Sequence, residues 1–314
     1  MKYNKLEYNS AVFLCIISLF LGIGANRIID ISKNDAWISV IIGSLLGLFI
    51  IFIFKKIDKE KRKNLSLIYN IEILCIDLFL VTKLISSIYL NKTPDLQVML
   101  PFLVAIYYGV NKGINVLFKV SSILFFIYIL ITIIPATTLV PIINIDNFKP
   151  VLTNSWTNIL IGAIRFSIIS TTPITIFPNI KENLSYKTYI FACILLFIIS
   201  TAIIGTLGIN LSLTYRYPEY QVFKNISLLG FIENIQNILS YIWLISSFTL
   251  AQFTSYNIKK IIKQKGLIII FIIILFTFSK YLLSNYIYTD YLLNYYSYFL
   301  LLPISLFIIT NLTK

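Results

Sequence analysis

The sequence contains no histidine, and its carboxylates are not clustered. Without histidine, the 314 residues offer no Ser-His-Asp or Cys-His catalytic arrangement, no usual zinc site and no imidazole proton relay. No glycine-rich loop is suited to cradle a phosphate, so we can assemble no set of acid, base and nucleophile. We therefore predict a protein without catalytic activity, bound metal or cofactor.

Cysteines and charged residues are also scarce. Cys15, Cys75 and Cys193 all lie inside apolar stretches and have no metal-ligand or redox spacing, so we interpret them as small packing residues. Charged residues make up only 12% of the chain, which is too little to cover the surface of a soluble domain. The protein is therefore predicted to lie in a lipid bilayer.

Apolar residues are abundant: 58% of the chain is hydrophobic, and the mean hydropathy is +0.86. Apolar runs of about 20 residues cross the ~30 Å hydrocarbon layer as helices, because lipid offers no partner to backbone N–H and C=O groups. We predict an all-α integral membrane protein whose single domain covers residues 1–314. The ten predicted transmembrane helices are 10–31, 36–55, 65–90, 96–110, 114–139, 154–178, 187–213, 232–257, 266–285 and 290–312.

These ten spans divide into two halves of five. Because five is an odd number, the halves have opposite orientations in the membrane, as in inverted-repeat transporters. The first repeat covers about 10–139 and the second about 154–312. The chain has a net charge of +13, and most of its basic residues lie in short connections on one side, which predicts that both termini are cytoplasmic. Basic residues distributed in this way do not indicate nucleic-acid binding.

Two spans are interrupted at corresponding places in the two halves. The first interruption is Gly-Ile-Gly at 22–24, where glycine can easily leave helical dihedral angles. The second is Ser-Thr-Thr-Pro at 170–173, where proline breaks the helix. Exposed N–H groups at such helix ends favour a carboxylate, and exposed carbonyls favour an ammonium group or a cation. A small-molecule site is therefore predicted at Gly22, Ile23, Gly24, Ala25, Ser170, Thr171 and Thr172. In the alternative interpretation, the glycines only pack against a neighbour and the threonines hydrogen-bond to their own helix.

Charged residues inside the spans are costly against lipid and must face the interior or an interface. Asp77 in span 3 and Arg165 in span 6 are predicted near the middle of the membrane. One hypothesis is that they lie close together and divide the charges of a zwitterionic ligand; the other is that they form a structural ion pair. Proton coupling through Glu72 or Asp77 is a third interpretation. The Lys83 side chain is close enough to the outer surface of the membrane to place its charge in water.

Two further features are candidates for parts of the site. Ser246 and Ser247 in span 8 are candidates for an auxiliary cation site, because related transporter folds place hydroxyls there opposite span 1; packing by small residues is the alternative. The connection 214–231 mixes aromatic and charged residues. We interpret it either as an interfacial helix that closes the cavity or meets a partner, or as an aromatic belt at headgroup level.

A series of short stretches carries a family resemblance. The stretch 35–40, Asp-Ala-Trp-Ile-Ser-Val, leads into Gly-Ser-Leu-Leu-Gly-Leu at 43–48, and Thr-Pro-Asp at 93–95, Asn-Lys-Gly at 111–113 and the stretch 213–233 follow in order. This series resembles the spore-germination amino-acid permease family, whose members are the B subunits of nutrient germinant receptors. The chain departs from the family in span 6, where a Ser-Phe-Pro-Phe-Gly-like run is expected.

The resemblance implies a ten-helix fold similar to the amino acid/polyamine/organocation transporters, in the inner membrane of a bacterial spore. It also implies an A subunit and a lipoprotein C subunit as partners. An amino-acid-like small molecule would bind between the broken helices and shift the complex towards germination. The alternative is a secondary transporter in a bacterial cell membrane that moves an amino acid, coupled to protons or sodium.

Overall fold

The computed structural model describes residues 3–23, 25–57, 63–224, 236–277, 295 and 298–312. Over these ranges the chain is helical and contains no β-strand. We number the α-helices as α1 (Lys5–Ile23), α2 (Asn26–Ser32), α3 (Ala36–Lys56), α4 (Lys63–Ile88), α5 (Asp95–Asn111), α6 (Ile114–Leu139), α7 (Trp156–Thr171), α8 (Ile180–Asn183), α9 (Tyr186–Thr214), α10 (Pro218–Lys224), α11 (Gln236–Thr277) and α12 (Leu301–Leu312). Short 3-10 helices cover Lys33–Asp35, Val140–Ile142, Ile145–Phe148 and Thr172–Ile176.

Among the described residues, five helical segments are long and apolar enough to cross a membrane. They are Lys5–Ile23, Asn26–Lys56, Ile114–Ile142, Trp156–Ile176 and Tyr186–Thr214. An all-helical protein with several helices of membrane-spanning length is thus confirmed. α4 has 26 residues and is as long as these segments, but it also carries the charged residues that the sequence places in the third span.

The predicted eighth and ninth spans meet inside one element, α11. This 42-residue helix is divided at Lys263, where the backbone has a positive φ of 62° and leaves the helical conformation. The connection between the two predicted spans is therefore a sharp bend and not a separate loop. Residues 278–294, which belong to the ends of the predicted ninth and tenth spans, lie outside the described ranges.

α1 lies at the centre of the molecule. Every residue from Ser10 to Ile23 is buried. α4, α6, α7, α9 and α11 all pack against it. A helix that is apolar nearly all round is typical of such an enclosed position. The first of the two interrupted spans is therefore held by five neighbouring helices.

Glycines allow α3 to approach α7 closely. A Cβ atom on Gly43 would lie 2.6 Å from the carbonyl oxygen of Ala163 in α7, and one on Gly162 would collide with the hydroxyl of Ser32. Small residues let membrane helices pack backbone against backbone in this way. Gly43 therefore serves the packing of α3 on α7, and Gly47 the packing of α3 against Tyr189 in α9.

We expect Gly43→Ala to lower the free energy of unfolding by about 1–3 kcal/mol, because the added methyl group meets the backbone of α7, which cannot move aside as a side chain would. The thermal unfolding midpoint in detergent micelles measures the effect. Leu45 lies two residues along the same helix and is 63% exposed, so Leu45→Ala is the matched control and should stay within about 0.5 kcal/mol of the unaltered chain. Equal midpoints for G43A and the unaltered chain would contradict the close α3–α7 contact.

Asp35, at the start of α3, forms hydrogen bonds with the connection that precedes α7. Its buried carboxylate accepts hydrogen bonds from the backbone N–H of Leu152 at 2.7 Å and of Asn154 at 3.2 Å. The Asn154 amide in turn donates to the carbonyl oxygen of Ile31 in α2, at 2.7 Å. The stretch 35–40 therefore joins the first predicted repeat to the beginning of the second.

Candidate functional site

The helical path of the first span is interrupted where the sequence predicts it. α1 ends at Ile23 and α2 begins at Asn26, with Ala25 in a turn between them. Gly24 lies outside the described residues. The first interruption therefore lies between the end of α1 and the start of α2.

The second interruption follows α7. That helix ends at Thr171, and the 3-10 helix Thr172–Ile176, which contains Pro173, continues the chain. α1 packs against both α7 and this 3-10 helix, and the rings of Phe20 and Phe166 lie 5.7 Å apart. The two interrupted helices are therefore in direct contact.

The carboxyl group of Asp77 is enclosed between α4, α1 and α11. Its side chain is 1% exposed, and its two oxygens each accept one hydrogen bond of 2.9 Å, from the hydroxyls of Ser18 and Ser247. Ser18 lies one helical turn before Gly22, which belongs to the first interruption. Within the described ranges no cation forms a salt bridge with Asp77. A buried acid with two hydroxyls and no cation therefore lies beside the interruption of α1.

Trp243 covers the backbone at Gly22. Its indole Nε1 donates a hydrogen bond of 2.9 Å to the carbonyl oxygen of Ser18. A Cβ atom on Gly22 would lie 2.9 Å from the Trp243 ring and 2.8 Å from Leu80. Gly22 thus packs against neighbouring side chains in this conformation, as in the alternative interpretation of the sequence. Trp243 and Leu80 therefore fill the space beside this backbone.

The two serines of α11 have different surroundings. Ser247 donates to Asp77, whereas Ser246 donates to the carbonyl oxygen of Trp243 in its own helix, at 2.7 Å. Sequence reasoning named both serines but missed Ser18 and Trp243. The available signal was spacing: Ser18 and Gly22, like Trp243 and Ser247, lie four residues apart and share one helical face.

The hydroxyl groups of the second interruption are satisfied within the protein. Thr171 and Thr172 each donate to a carbonyl oxygen one turn earlier in α7, at 2.7 Å. Ser170 shares a hydrogen bond of 2.8 Å with the hydroxyl of Tyr189 in α9. All three side chains are fully buried. In this conformation the threonines therefore make the intrahelical bonds of the alternative interpretation.

Arg165 does not meet Asp77. Its guanidinium carbon lies 5.7 Å from the centre of the Tyr298 ring, close to the start of α12. No acidic side chain pairs with it in the part of the chain that the structure describes. The ion pair considered from the sequence is not formed, because α7 turns Phe166 towards α1 and Arg165 towards α12.

The other two charges of the third span also have defined places. Lys83 forms a salt bridge of 3.1 Å with Asp95, at the first residue of α5, and both side chains are largely buried. This pair accounts for the Thr-Pro-Asp stretch at 93–95. Glu72 is half-buried, and its Oε2 is buried without a hydrogen-bond partner among the described residues.

Glu219 contacts the first interruption from α10, in the connection after α9. Its side chain is 3% exposed, and its Oε1 accepts a hydrogen bond of 3.1 Å from the backbone N–H of Ala25. Burial raises the pKa of Glu219 to about 7, although hydrogen bonds from its own N–H and from that of Ala25 act in the opposite direction. The Asn26 amide donates to the carbonyl oxygens of Tyr215 and Arg216, at 3.5 and 3.4 Å. Of the two sequence interpretations, a helix that closes over the site agrees with these contacts.

The two ends of the molecule differ in the size of their cavities. Between Glu219 and Trp243 the space is reduced to a cavity of about 20 Å³, room for roughly one water molecule. The opposite end, where α11 carries Lys260, contains a cavity of about 380 Å³. It is lined by Ile57, Ser66, Tyr69, Ile114, Thr175, Ile176, Phe177, Pro178, Asn179, Ile180, Tyr256, Asn257, Lys260, Ile261, Phe307 and Asn311. The space beside the site on the α10 side is thus much smaller than the cavity at the other end.

Comparisons with known proteins agree with the resemblance in the sequence. A family model described as "Spore germination protein" matches residues 65–286, from α4 to beyond α11. Spore germination protein KB of Bacillus subtilis (strain 168) is 22% identical over 262 residues, which are 71% of this chain and 69% of that protein. Spore germination protein YndE of the same organism is 22% identical over 266 residues, 74% of this chain and 73% of that protein. Since the family match covers more than half of its residues, the chain belongs to the spore germination permease family.

Proposed function

We propose that this protein is the membrane subunit of a spore nutrient-germinant receptor, which binds an amino-acid-like small molecule and signals without catalysis. The observation that carries the proposal is the Asp77 carboxyl group, buried between two serine hydroxyls beside an interrupted helix. A buried acid without a cation partner suits the ammonium group of an amino acid, because pairing would offset the cost of its burial. Family membership supports a role in germination.

The proposed architecture is a single domain of ten transmembrane helices in two inverted repeats, 10–139 and 154–312. Two observations support it: α1 and α7 are the interrupted helices, and they lie against each other. In the proposed orientation both termini are cytoplasmic, α10 lies outside, and the 380 Å³ cavity opens inside. The proposed location is the inner spore membrane.

The proposed ligand contacts are the backbone at 22–25, the hydroxyl-bearing residues Ser170, Thr171 and Thr172, and the Asp77 carboxyl group. Of the two serines considered for a cation site, Ser247 bonds to Asp77 and would lie beside the ammonium group of the ligand, whereas Ser246 bonds to its own helix. Ligand entry requires Trp243 and α10 to move. That movement is the proposed signal to the A subunit and the lipoprotein C subunit.

The second candidate function is secondary transport of an amino acid coupled to protons or sodium. The observation in its favour is the polar cavity below the 3-10 helix Thr172–Ile176, which would serve as an exit route. Asn257 forms part of the wall of this cavity, and its amide donates to Asn70 at 3.0 Å and to the carbonyl oxygen of Ile176 at 2.6 Å. Transport would require these hydrogen bonds to break in each cycle.

The two functions differ in whether the molecule crosses the membrane. The purified chain, reconstituted in vesicles with a proton or sodium gradient, is incubated with each of the twenty radiolabelled L-amino acids. We expect binding of at least one amino acid without accumulation, and germination by that amino acid only in spores that also contain the two companion subunits. Accumulation inside the vesicles would favour transport, and germination by this chain without companions would contradict the receptor proposal. Empty vesicles are the control.

A further inference from the structure

Arg165 lies deep in the bilayer according to its position in Trp156–Ile176, one of the five segments of membrane-spanning length. It follows Trp156 by nine residues and precedes Ile176 by eleven, so it is about 14 Å and 16 Å from the two ends. Its Nε is buried and has no hydrogen-bond partner among the residues that the structure describes. A guanidinium at this depth is costly unless an anion or a polar group satisfies it.

The surroundings of Arg165 are apolar and exposed. Its neighbours Leu160, Ile161 and Ile164 are 47%, 37% and 49% exposed, and Tyr298, whose ring lies under the guanidinium, is 56% exposed. We call these five residues the Arg165 surface. Lipid alone covers an apolar surface without any need for a cation. An arginine beside such a surface, at mid-membrane depth, indicates a protein neighbour that supplies the missing acceptor.

We propose that the Arg165 surface binds a membrane-spanning helix of the companion A subunit, which presents an Asp or Glu side chain at mid-membrane depth to the Arg165 guanidinium. This rests on the proposed receptor function. A carboxylate fits because its two oxygens accept hydrogen bonds from the terminal nitrogens of the guanidinium and neutralise the charge at the same time. The apolar residues around Arg165 pack against the rest of that helix.

The test uses the tagged full-length chain, co-expressed with the A and C subunits and purified in mild detergent. Arg165→Met removes the charge but keeps an unbranched side chain, and Ile164→Trp obstructs the surface without touching the charge. We expect both variants to recover at least tenfold less A subunit than the unaltered chain, and Arg165→Lys to recover an intermediate amount. The matched control is Ile194→Trp on α9, also lipid-facing at 52% exposure, which should leave recovery unchanged.

The outcomes separate this contact from the receptor proposal. Recovery of the A subunit at the full level by both R165M and I164W would overturn the contact while the receptor proposal stands. An unaltered chain that recovers no A subunit would overturn both. A loss of amino-acid binding with full recovery of the A subunit would show that Arg165 serves the ligand and would also overturn the contact.

A charge reversal tests the carboxylate directly. Arg165→Glu should abolish recovery of the A subunit, and a second substitution of one intramembrane Asp or Glu of that subunit by Arg should restore at least half of it. A merely structural role of Arg165 would not be rescued by a change in another chain. Failure of every single acid-to-arginine substitution to restore recovery would contradict a carboxylate partner.

Discussion

Replacing Asp77 with asparagine is expected to weaken amino-acid binding about a hundredfold, equivalent to about 2.8 kcal/mol, while the protein still folds. Asparagine has nearly the same shape, and the hydroxyls of Ser18 and Ser247 can turn to donate to its oxygen or accept from its amide. What it removes is the charge that the proposed ammonium ligand needs. Alanine at this position leaves both hydroxyls unpaired beside a void, so Asp77→Ala is expected to destabilise the fold by about 2–4 kcal/mol.

Thermal unfolding in detergent measures both effects, because a bound amino acid raises the midpoint. The probe is the L-amino acid that gives the largest shift with the unaltered chain. Ser247→Ala and Ser246→Ala are a matched pair. The first removes a hydrogen bond to Asp77, and the second, which is the control, removes one within α11. We expect S247A to reduce the shift and S246A to leave it unchanged. An undiminished shift in D77N would exclude Asp77 as the ammonium partner.

The equilibrium constant for release of α10 from the turn at Ala25, which we call opening, is expected to rise about a hundredfold as the pH rises from 4.5 to above 7. The pKa of Glu219 is about 7 while the side chain is buried against Ala25, whereas a hydrated glutamate has a value of 4.5. The closed arrangement therefore keeps its proton to a higher pH than the open one. The contribution of Glu219 to the stability of the closed arrangement is complete below pH 4.5, is lost as the pH rises through 7, and does not change above that.

Hydrogen exchange of the segment 215–224, corrected for the intrinsic pH dependence of exchange, reports this opening. Glu219→Gln keeps an oxygen for the Ala25 N–H but cannot ionise, so its corrected exchange should be independent of pH. The control is Glu182→Gln, which changes an exposed acid in α8 and should preserve the pH dependence. A pH dependence that survives in E219Q would assign the effect to another group.

The two interruptions were predictable because glycine and proline act on their own backbone. Pro173 cannot continue the hydrogen bonding of a helix wherever that helix lies, and α1 ends one residue after Gly22, within the Gly-Ile-Gly stretch 22–24. The sharp bend in α11 had no such residue. It occurs at Lys263, which takes a positive φ that the residue type alone does not favour.

The partners of the charged residues were not predictable, because they depend on how neighbouring helices are rotated. Asp77 and Arg165 were placed at similar depth from counting residues, but depth does not give direction. The structure turns Asp77 towards Ser18 and Ser247, and it turns Arg165 towards Tyr298. Arg165 and Phe166 are neighbours in α7, and their side chains point about 100° apart around the helix axis. The rotation of α7 therefore decides which of the two faces α1.

The sequence by itself determined that this protein is a helical membrane protein, where two of its helices are broken, and to which family it is similar. These properties follow from composition and from local backbone chemistry, which act residue by residue. Only the tertiary structure decided that Glu219 lies on the broken first helix and that Trp243 covers Gly22. Such contacts join residues about 200 positions apart, and they arise from the burial of many apolar surfaces at once.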